Sequence, residues 1–213
     1  MNISLVMMGL TDMKDDLRCI SGYDIKQKKY FRPLFKNKRI DHNFCTQPSR
    51  EIKLFKEAVY EVESSYTAPV PHIEHFHISK LIEVREIFKN NDEIKDFLYK
   101  ISDPSIKSVY GDFIENVNGH PVIPKNCGYR SLGTIIARRC KVYKNNRGRV
   151  RVNITDQTGH KLINLPCVAH DMEYKQEGEY HEIPIRLGLT RLWKKDGMEE
   201  AFYWIQISEV FSF

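Results

Sequence analysis

Seven basic side chains, Arg138, Arg139, Lys141, Lys144, Arg147, Arg149 and Arg151, fall between Ala137 and Ile154 with no acid among them. A guanidinium offers five donors in a fixed fork that matches phosphate oxygens, so this density of arginine points to a polyanion. The centre of the run, "NNRG", has turn chemistry, and the flanks "ARRCKVYK" and "GRVRVNITD" alternate apolar with polar residues. Together they predict a β-hairpin with a basic tip. At a period of two, Arg149, Arg151 and Asn153 share one face of the returning strand, and Val150, Val152 and Ile154 share the other. Two readings of the cationic face stand side by side. With Tyr143, Trp193 and Trp204 as stacking groups it tracks a nucleic-acid backbone; alternatively it is a solvated outer strand whose charges prevent edge pairing.

A smaller version of the same pattern lies near the start, in "LRCISGYDIKQKKYFRPLF" (residues 17–35). Here "KQKK" supplies the turn, Lys28 sits in it, and Arg32 follows just before Pro33. Proline cannot donate to a strand ladder, which places Arg32 at a strand end or edge, where a second phosphate contact would be accessible.

Other chemistry is weaker. "HIEHFH" supplies His72, Glu74, His75 and His77, and "DHNFC" supplies His42 and Cys45, but their spacing matches no established zinc signature. Cys167, His170 and Asp171 have the residue types of a thiol nucleophile without a context that marks an activated cysteine. "NVNGHPVIPKNCG" is neither a phosphate-binding P-loop nor a dinucleotide fingerprint. The sequence therefore predicts no catalytic residue, no metal and no cofactor.

The elements that must position these residues follow from periodicity. Short β-branched or aromatic runs at 2–10, 18–25, 29–34, 51–55 and 58–63 suggest a small β-barrel or sandwich. From Ser79 to Ile101 the apolar positions Leu81, Val84, Ile87, Phe88, Ile94, Phe97, Leu98 and Ile101 fall near helical spacing, with Ser79 available as a cap, which predicts one helix interrupted near "NND" or two short ones. Strand pattern then resumes in "SLGTIIARRCKVYK", "GRVRVNITD", "KLINLPCV", "HEIPIRLGLTRLW" and "EAFYWIQISEVF". In the last of these Phe202, Trp204 and Gln206 share one face and Tyr203, Ile205 and Ile207 the other, so one face is core. Five strands twice over suit two barrels joined by helix. "MGLT" at Met8–Thr11 and "LGLTR" at Leu187–Arg191 form a faint internal echo.

Global charge is mild, at +5 with a pI of about 8.8. Its distribution is uneven: residues 1–50 hold ten Lys and Arg against five acids, 51–110 hold eight against eleven, and 111–213 hold fifteen against twelve. Five cysteines without a CxxC pair suggest reduced thiols and a cytoplasmic setting. The apolar opening "MNISLVMMGL" is too short to span a bilayer and is read as a first buried strand, so no membrane partner is expected.

"CISGYDIKQKKYFRPL", "PVPHIEHFHI", "SLGTI", "GRVRVNITD", "LGLTR" and "FYWIQISEVF" occur in an order that resembles the dual OB-containing domain family, although His75 stands where that family has an acid. The resemblance implies a mainly β chain of two OB-like five-stranded barrels, at residues 1–78 and 105–213, joined by a helical connector at 79–104. Such barrels commonly bind oligonucleotides on the face of strands two and three with the flanking loops. It also implies a prokaryotic, often defence-associated setting and no established reaction. The expected function is therefore non-catalytic binding of single-stranded or duplex nucleic acid. Arg138, Arg139, Lys141, Arg147, Arg149 and Arg151 take phosphates, Lys28 and Arg32 add a second contact, and Tyr143 and Trp193 stack. The alternatives are an adaptor subunit docked on a larger protein partner, and a sensor of a small nucleotide-like ligand held between the barrels.

Overall fold

The computed structural model describes residues 1–64, 68–170 and 177–213. The chain is mainly β and divides into two compact units, one of Met1–Ala68 with Ile73–Lys100 and the other of Pro69–His72 with Ile101–Phe213. Among the described residues no helix is long and apolar enough to cross a membrane.

In the first unit, strands β1 (Asn2–Asp12), β2 (Arg18–Asp24), β3 (Lys29–Leu34), β4 (Lys56–Ser64) and β5 (His75–Glu86) close a barrel in the order β1-β2-β3-β5-β4. Its neighbours are antiparallel except β3 and β5, which pair parallel from Arg32 with His75 to Leu34 with His77. This is a five-stranded barrel of OB type. A bulge between Met7 and Gly9 bends β1 so that its first part pairs with β4 and the remainder with β2. Leu5, Met7, Ile20, Tyr60 and Ile78 are enclosed in its core, each burial contributing about 1.5–3 kcal/mol.

The helical expectation over Ser79–Ile101 holds only in its second part, α2 (Asn91–Ile101). The first part belongs to β5. Its register against β4 slips between Ile78 and Lys80 and again between Leu81 and Glu83, leaving Ser79 and Ile82 bulged. Core-facing residues then fall at Ile78, Leu81 and Val84, three apart, which imitates a helical period. Ser79 caps nothing; its hydroxyl donates to Glu61 Oε2 at 2.8 Å. The strand expected at 51–55 is also absent. Ile52 is buried with its amide on the Cys45 carbonyl at 2.8 Å, and Phe55, at φ 65°, donates to the Met7 carbonyl at 2.8 Å. Cys45 ends the short helix α1 (His42–Cys45), whose Phe44 amide donates to Asp41 Oδ1 at 2.8 Å.

The second unit contains α3 (Ile106–Tyr110), β6 (Glu115–Val117), β7 (His120–Pro124), β8 (Leu132–Lys144), β9 (Val150–Asp156), β10 (Lys161–Pro166), β11 (Gly178–Leu189) and β12 (Phe202–Val210). They form one curled sheet in the order β10-β9-β8-β11-β12-β7-β6. Just past β10, Cys167 bridges Ile207 in parallel, and the Val168 amide donates to the Ile207 carbonyl at 2.9 Å. The end of β10 thereby meets β12. Strands β8, β9, β10, β12 and β11 thus repeat the order of β1, β2, β3, β5 and β4, with the parallel contact in the same place. The "MGLT" echo does not mark this repeat, because it falls in β1 and in β11, strands with different positions in it.

Seven strands rather than five arise because the β6–β7 hairpin adds to the far edge of β12. Its signal was in the sequence. Asn118 and Gly119 take φ 51° and 77°, the positive pair that an Asn-Gly hairpin turn requires. Helix α3 lies close on β8: a Cβ on Gly133 would sit 2.5 Å from a Val109 methyl, so only glycine admits the helix there.

Candidate nucleic-acid interface

The basic run forms the β8–β9 hairpin. A register shift between Ala137 and Arg139 turns both Arg138 and Arg139 outward, and both are exposed. At the turn, the Asn145 side-chain oxygen accepts from the Arg147 and Arg149 amides at 3.0 Å each, and Gly148, at φ 70°, returns its amide to the Asn145 carbonyl at 2.8 Å. Arg147 and Arg149 therefore project from an ordered tip, both exposed. Alternation holds along β9: Val152 and Ile154 are buried in the core, and Arg151 and Asn153 face outward. Arg149 lies in the turn just before the strand. Arg151 stands between Tyr143 on β8 and Pro166 on β10, and the Tyr143 hydroxyl lies 3.5 Å from Asn153 Oδ1.

These cations are not equivalent. Arg139 is already paired, with Nε 2.6 Å and Nη2 2.9 Å from the two oxygens of Glu179 on β11. That hydrogen bond holds the Glu179 carboxyl below its ordinary range and raises the Arg139 guanidinium. Lys141 is directly opposite Glu179 in the strand pairing. By contrast, no described carboxylate pairs with Arg147, Arg149 or Arg151, and the Arg151 Nε is buried without a hydrogen-bond partner among the described residues. The free positive charge is therefore concentrated at the tip and the start of β9.

In the OB arrangement, the loop joining strands one and two and the loop joining strands four and five flank the face of strands two and three. In this unit they are residues 145–149 and 190–201. The second loop is stiffly held. Trp193 and Phe202 exchange backbone hydrogen bonds at 3.2 and 3.1 Å, the Trp193 carbonyl also accepts from the Trp204 indole at 3.3 Å, and the Trp204 amide donates to Thr190 Oγ1 at 2.9 Å. His72 Nε2 meets the Thr190 carbonyl at 3.1 Å.

Trp193 lies on Trp204 with ring centroids 5.4 Å apart, and His120 of β7 meets Trp204 edge-on at 5.8 Å. The Lys195 ammonium is 5.8 Å from the Trp204 ring centroid. Trp204 is buried in a small cluster with Val122 and Phe202, while Trp193 stays 46% exposed. Tyr203, Ile205 and Ile207 line the main core, so β12 alternates as its sequence implied. Burial pushes the His120 imidazole below its ordinary value, and Lys195 and Arg151 push it the same way. Arg151 and the tryptophan cluster thus lie within electrostatic reach of one histidine. "RLWKKDG" announced Trp193 and its neighbouring lysines; His120, inside a turn-like "NGHP", had no such signal.

The first unit treats its corresponding face differently. Lys28 is exposed in the β2–β3 turn at φ 54°. Arg32 is only 8% exposed, with Nη1 3.1 Å from His75 Nε2 and its amide on the Glu74 carbonyl at 2.8 Å. It lies within the sheet rather than at an edge, because β3 passes from β2 to β5 at this residue. Ile20 and Phe31 pack on the core side of β2 and β3, so Tyr23 and Tyr30 face out. Phe97 of α2 covers them, 6.0 Å from Tyr23, and the two tyrosines meet edge-on at 4.9 Å.

The histidine-rich segment divides between the units, His72 going to the second and His75 and His77 to β5 of the first. Among the described residues no group of three or more His, Cys, Asp or Glu side chains could hold a metal ion. Burial pushes the Cys45 thiol up to about 11. Cys167 and His170 lie just beyond β10, and Asp171 falls outside the described residues.

No protein-family model matches the chain, and no curated protein matches it. Among solved structures it is similar to the crystal structure of the tetrameric p202 HIN2, at 13% identity over 100% of this chain and 93% of that one, with a TM-score of 0.33. A likeness that distant says nothing of function.

Proposed function

We propose that the second unit is a non-catalytic nucleic-acid-binding module whose contact surface is the β9–β10 face between loops 145–149 and 190–201. One observation carries this reading: Arg147, Arg149 and Arg151, without carboxylate partners among the described residues, lie at the position from which an OB barrel addresses a strand. Arg138 and Lys141 extend the cationic surface along β8, and Arg139 contributes less because Glu179 neutralises it. Contacts to phosphate position a strand without reading its bases, so sequence preference is small.

The test is fluorescence anisotropy of labelled single-stranded and duplex oligonucleotides at two salt concentrations, with the Arg149→Glu/Arg151→Glu variant alongside. Neutralising about three phosphates of a single strand gives a slope of about −2 in log K against log salt, and micromolar affinity at physiological salt. The double variant loses at least about tenfold, since each reversal replaces an attraction by a repulsion. Lys28→Glu changes affinity by less than about twofold, because Lys28 belongs to the first unit and is one exposed charge outside the proposed surface. Absence of binding at low salt overturns the reading and leaves docking on a protein partner as the use of this surface.

A further inference from the structure

The exposed ring of Trp193 has a geometry that electrostatics alone does not need. Its backbone is fixed by paired hydrogen bonds to Phe202, its carbonyl takes the Trp204 indole N–H, and its ring rests on Trp204, yet nearly half its surface faces solvent. An exposed aromatic that served only packing would not require so rigid a mount. Lys195 stands over the same tryptophan cluster, and His120 senses both Lys195 and Arg151. A flat apolar ring, fixed before any ligand arrives and flanked by cations, offers one base a stacking surface and the adjoining phosphates a positive field. Ile163 adds to this. It is 54% exposed on β10, with Leu162 beside it in the core, so its side chain faces outward on the strand-three side of the same surface.

Resting on the nucleic-acid reading above, we propose that the ligand is a single strand, one unpaired base of which stacks on Trp193 while Arg151 and Lys195 take adjoining phosphates. Stacking on Trp193 requires a base whose face is free. In a duplex both faces of every internal base are occupied by neighbouring pairs, so the same cations bind it without the aromatic contribution.

The chain has only two tryptophans, and both belong to this cluster, so intrinsic fluorescence reports directly on the site. Wild type, Trp193→Ala, Trp193→Phe and Arg149→Glu/Arg151→Glu are titrated with an oligothymidylate and an oligouridylate of about 15 nucleotides, and with a duplex of equal length. The expected result is tryptophan quenching by both single strands, and a preference for them over duplex. Trp193→Ala weakens single-strand affinity by at least about fivefold and leaves duplex affinity within about twofold, the fivefold figure being the lower end of measured base-stacking contributions. Trp193→Phe restores part of the loss, which a merely structural role for the indole would not produce. Equal losses for single strand and duplex in Trp193→Ala, or duplex binding as tight as single-strand binding, overturn the inference while leaving the nucleic-acid reading intact. Failure of wild type to bind any of the three at low salt overturns both.

Discussion

The two units wind five strands in the same order and then use the outer face of strands two and three in opposite ways. In the first, the parallel closure runs over three residue pairs, and the outer tyrosines of β2 and β3 lie beneath Phe97 of α2. In the second, closure is reduced to the bridge between Cys167 and Ile207, and the outer face of β9 carries Arg151 and Asn153 between the basic tip at 145–149 and the loop that holds Trp193 and Lys195. Topology is thus shared while the chemistry of the outer face is not. Function follows the side chains placed on the face, not the barrel beneath them.

A matched pair of aspartates offers the sharpest way to probe that likeness. Asp24 ends β2 and Asp156 ends β9, the second strand of each barrel. Asp24 accepts the Lys26 and Gln27 amides and the Gln27 side chain at 2.8 to 3.0 Å, all local. Asp156, with no exposed surface, accepts the Thr158 hydroxyl at 2.7 Å, the Thr158 and His160 amides at 2.9 and 3.0 Å, and the Ile106 amide of α3 at 2.9 Å. Asp156→Ala should therefore cost about 3 kcal/mol in urea unfolding followed by tryptophan fluorescence, against about 1 kcal/mol for Asp24→Ala by circular dichroism. Burial alone would raise the Asp156 carboxyl, but these hydrogen bonds outweigh it and the group ends below its ordinary value. A depressed carboxyl stabilises the fold above its unfolded value near pH 4 and loses that contribution as pH falls through the folded value. The cost of Asp156→Ala should accordingly shrink at pH 3. Equal costs for the two aspartates would break the comparison.

The covered face gives a smaller effect. Phe97→Ala removes an edge contact to Tyr23 at 6.0 Å and a tilted contact to Phe88 at 5.2 Å, for a loss of about 1–2 kcal/mol by circular dichroism. It should leave oligonucleotide affinity unchanged within about twofold, because the surface it uncovers is aromatic and Arg32, on the same face of β3 as Tyr30, is held at His75. A second binding event in the variant would mean that α2 occupies a ligand site.

The second unit was the more legible of the two, for a physical reason. Strand β9, and β12 from Phe202 to Ile207, keep a clean period of two, so Val152 and Ile154 against Arg151 and Asn153 could be assigned to faces from the sequence. In β5 two bulges moved the core-facing positions to a spacing of three, and no single-chain pattern separates that from a helix. The basic tip was visible because charge is written in composition. The neutralisation of Arg139 by Glu179 and the burial of Arg32 were not, since each depends on a partner strand more than 35 residues away in the chain. Trp204 illustrates the same limit. Its side of the strand was clear, but its role as the support of Trp193 depends on how loop 190–201 returns.

The smallest effect separates the open face from the covered one by proton uptake. Burial lowers His120, and the positive charges of Lys195 and Arg151 lower it further, while Trp204 supplies the apolar wall. Because its folded value lies below the unfolded value near 6.5, the unfolded chain takes the proton first as pH falls, and the second unit loses stability below about pH 6.5. The loss grows as pH falls toward about 5, and His120→Asn should abolish it. A phosphate seated between Lys195 and Arg151 cancels the charges that oppose protonation, so the bound state holds the proton more tightly than the free one. Affinity should then rise a fewfold between pH 7.5 and about 5.5 in wild type and stay flat in His120→Asn, measured by anisotropy at constant salt. A pH dependence that survives in His120→Asn would place the titrating group elsewhere and detach Arg151 from the tryptophan cluster.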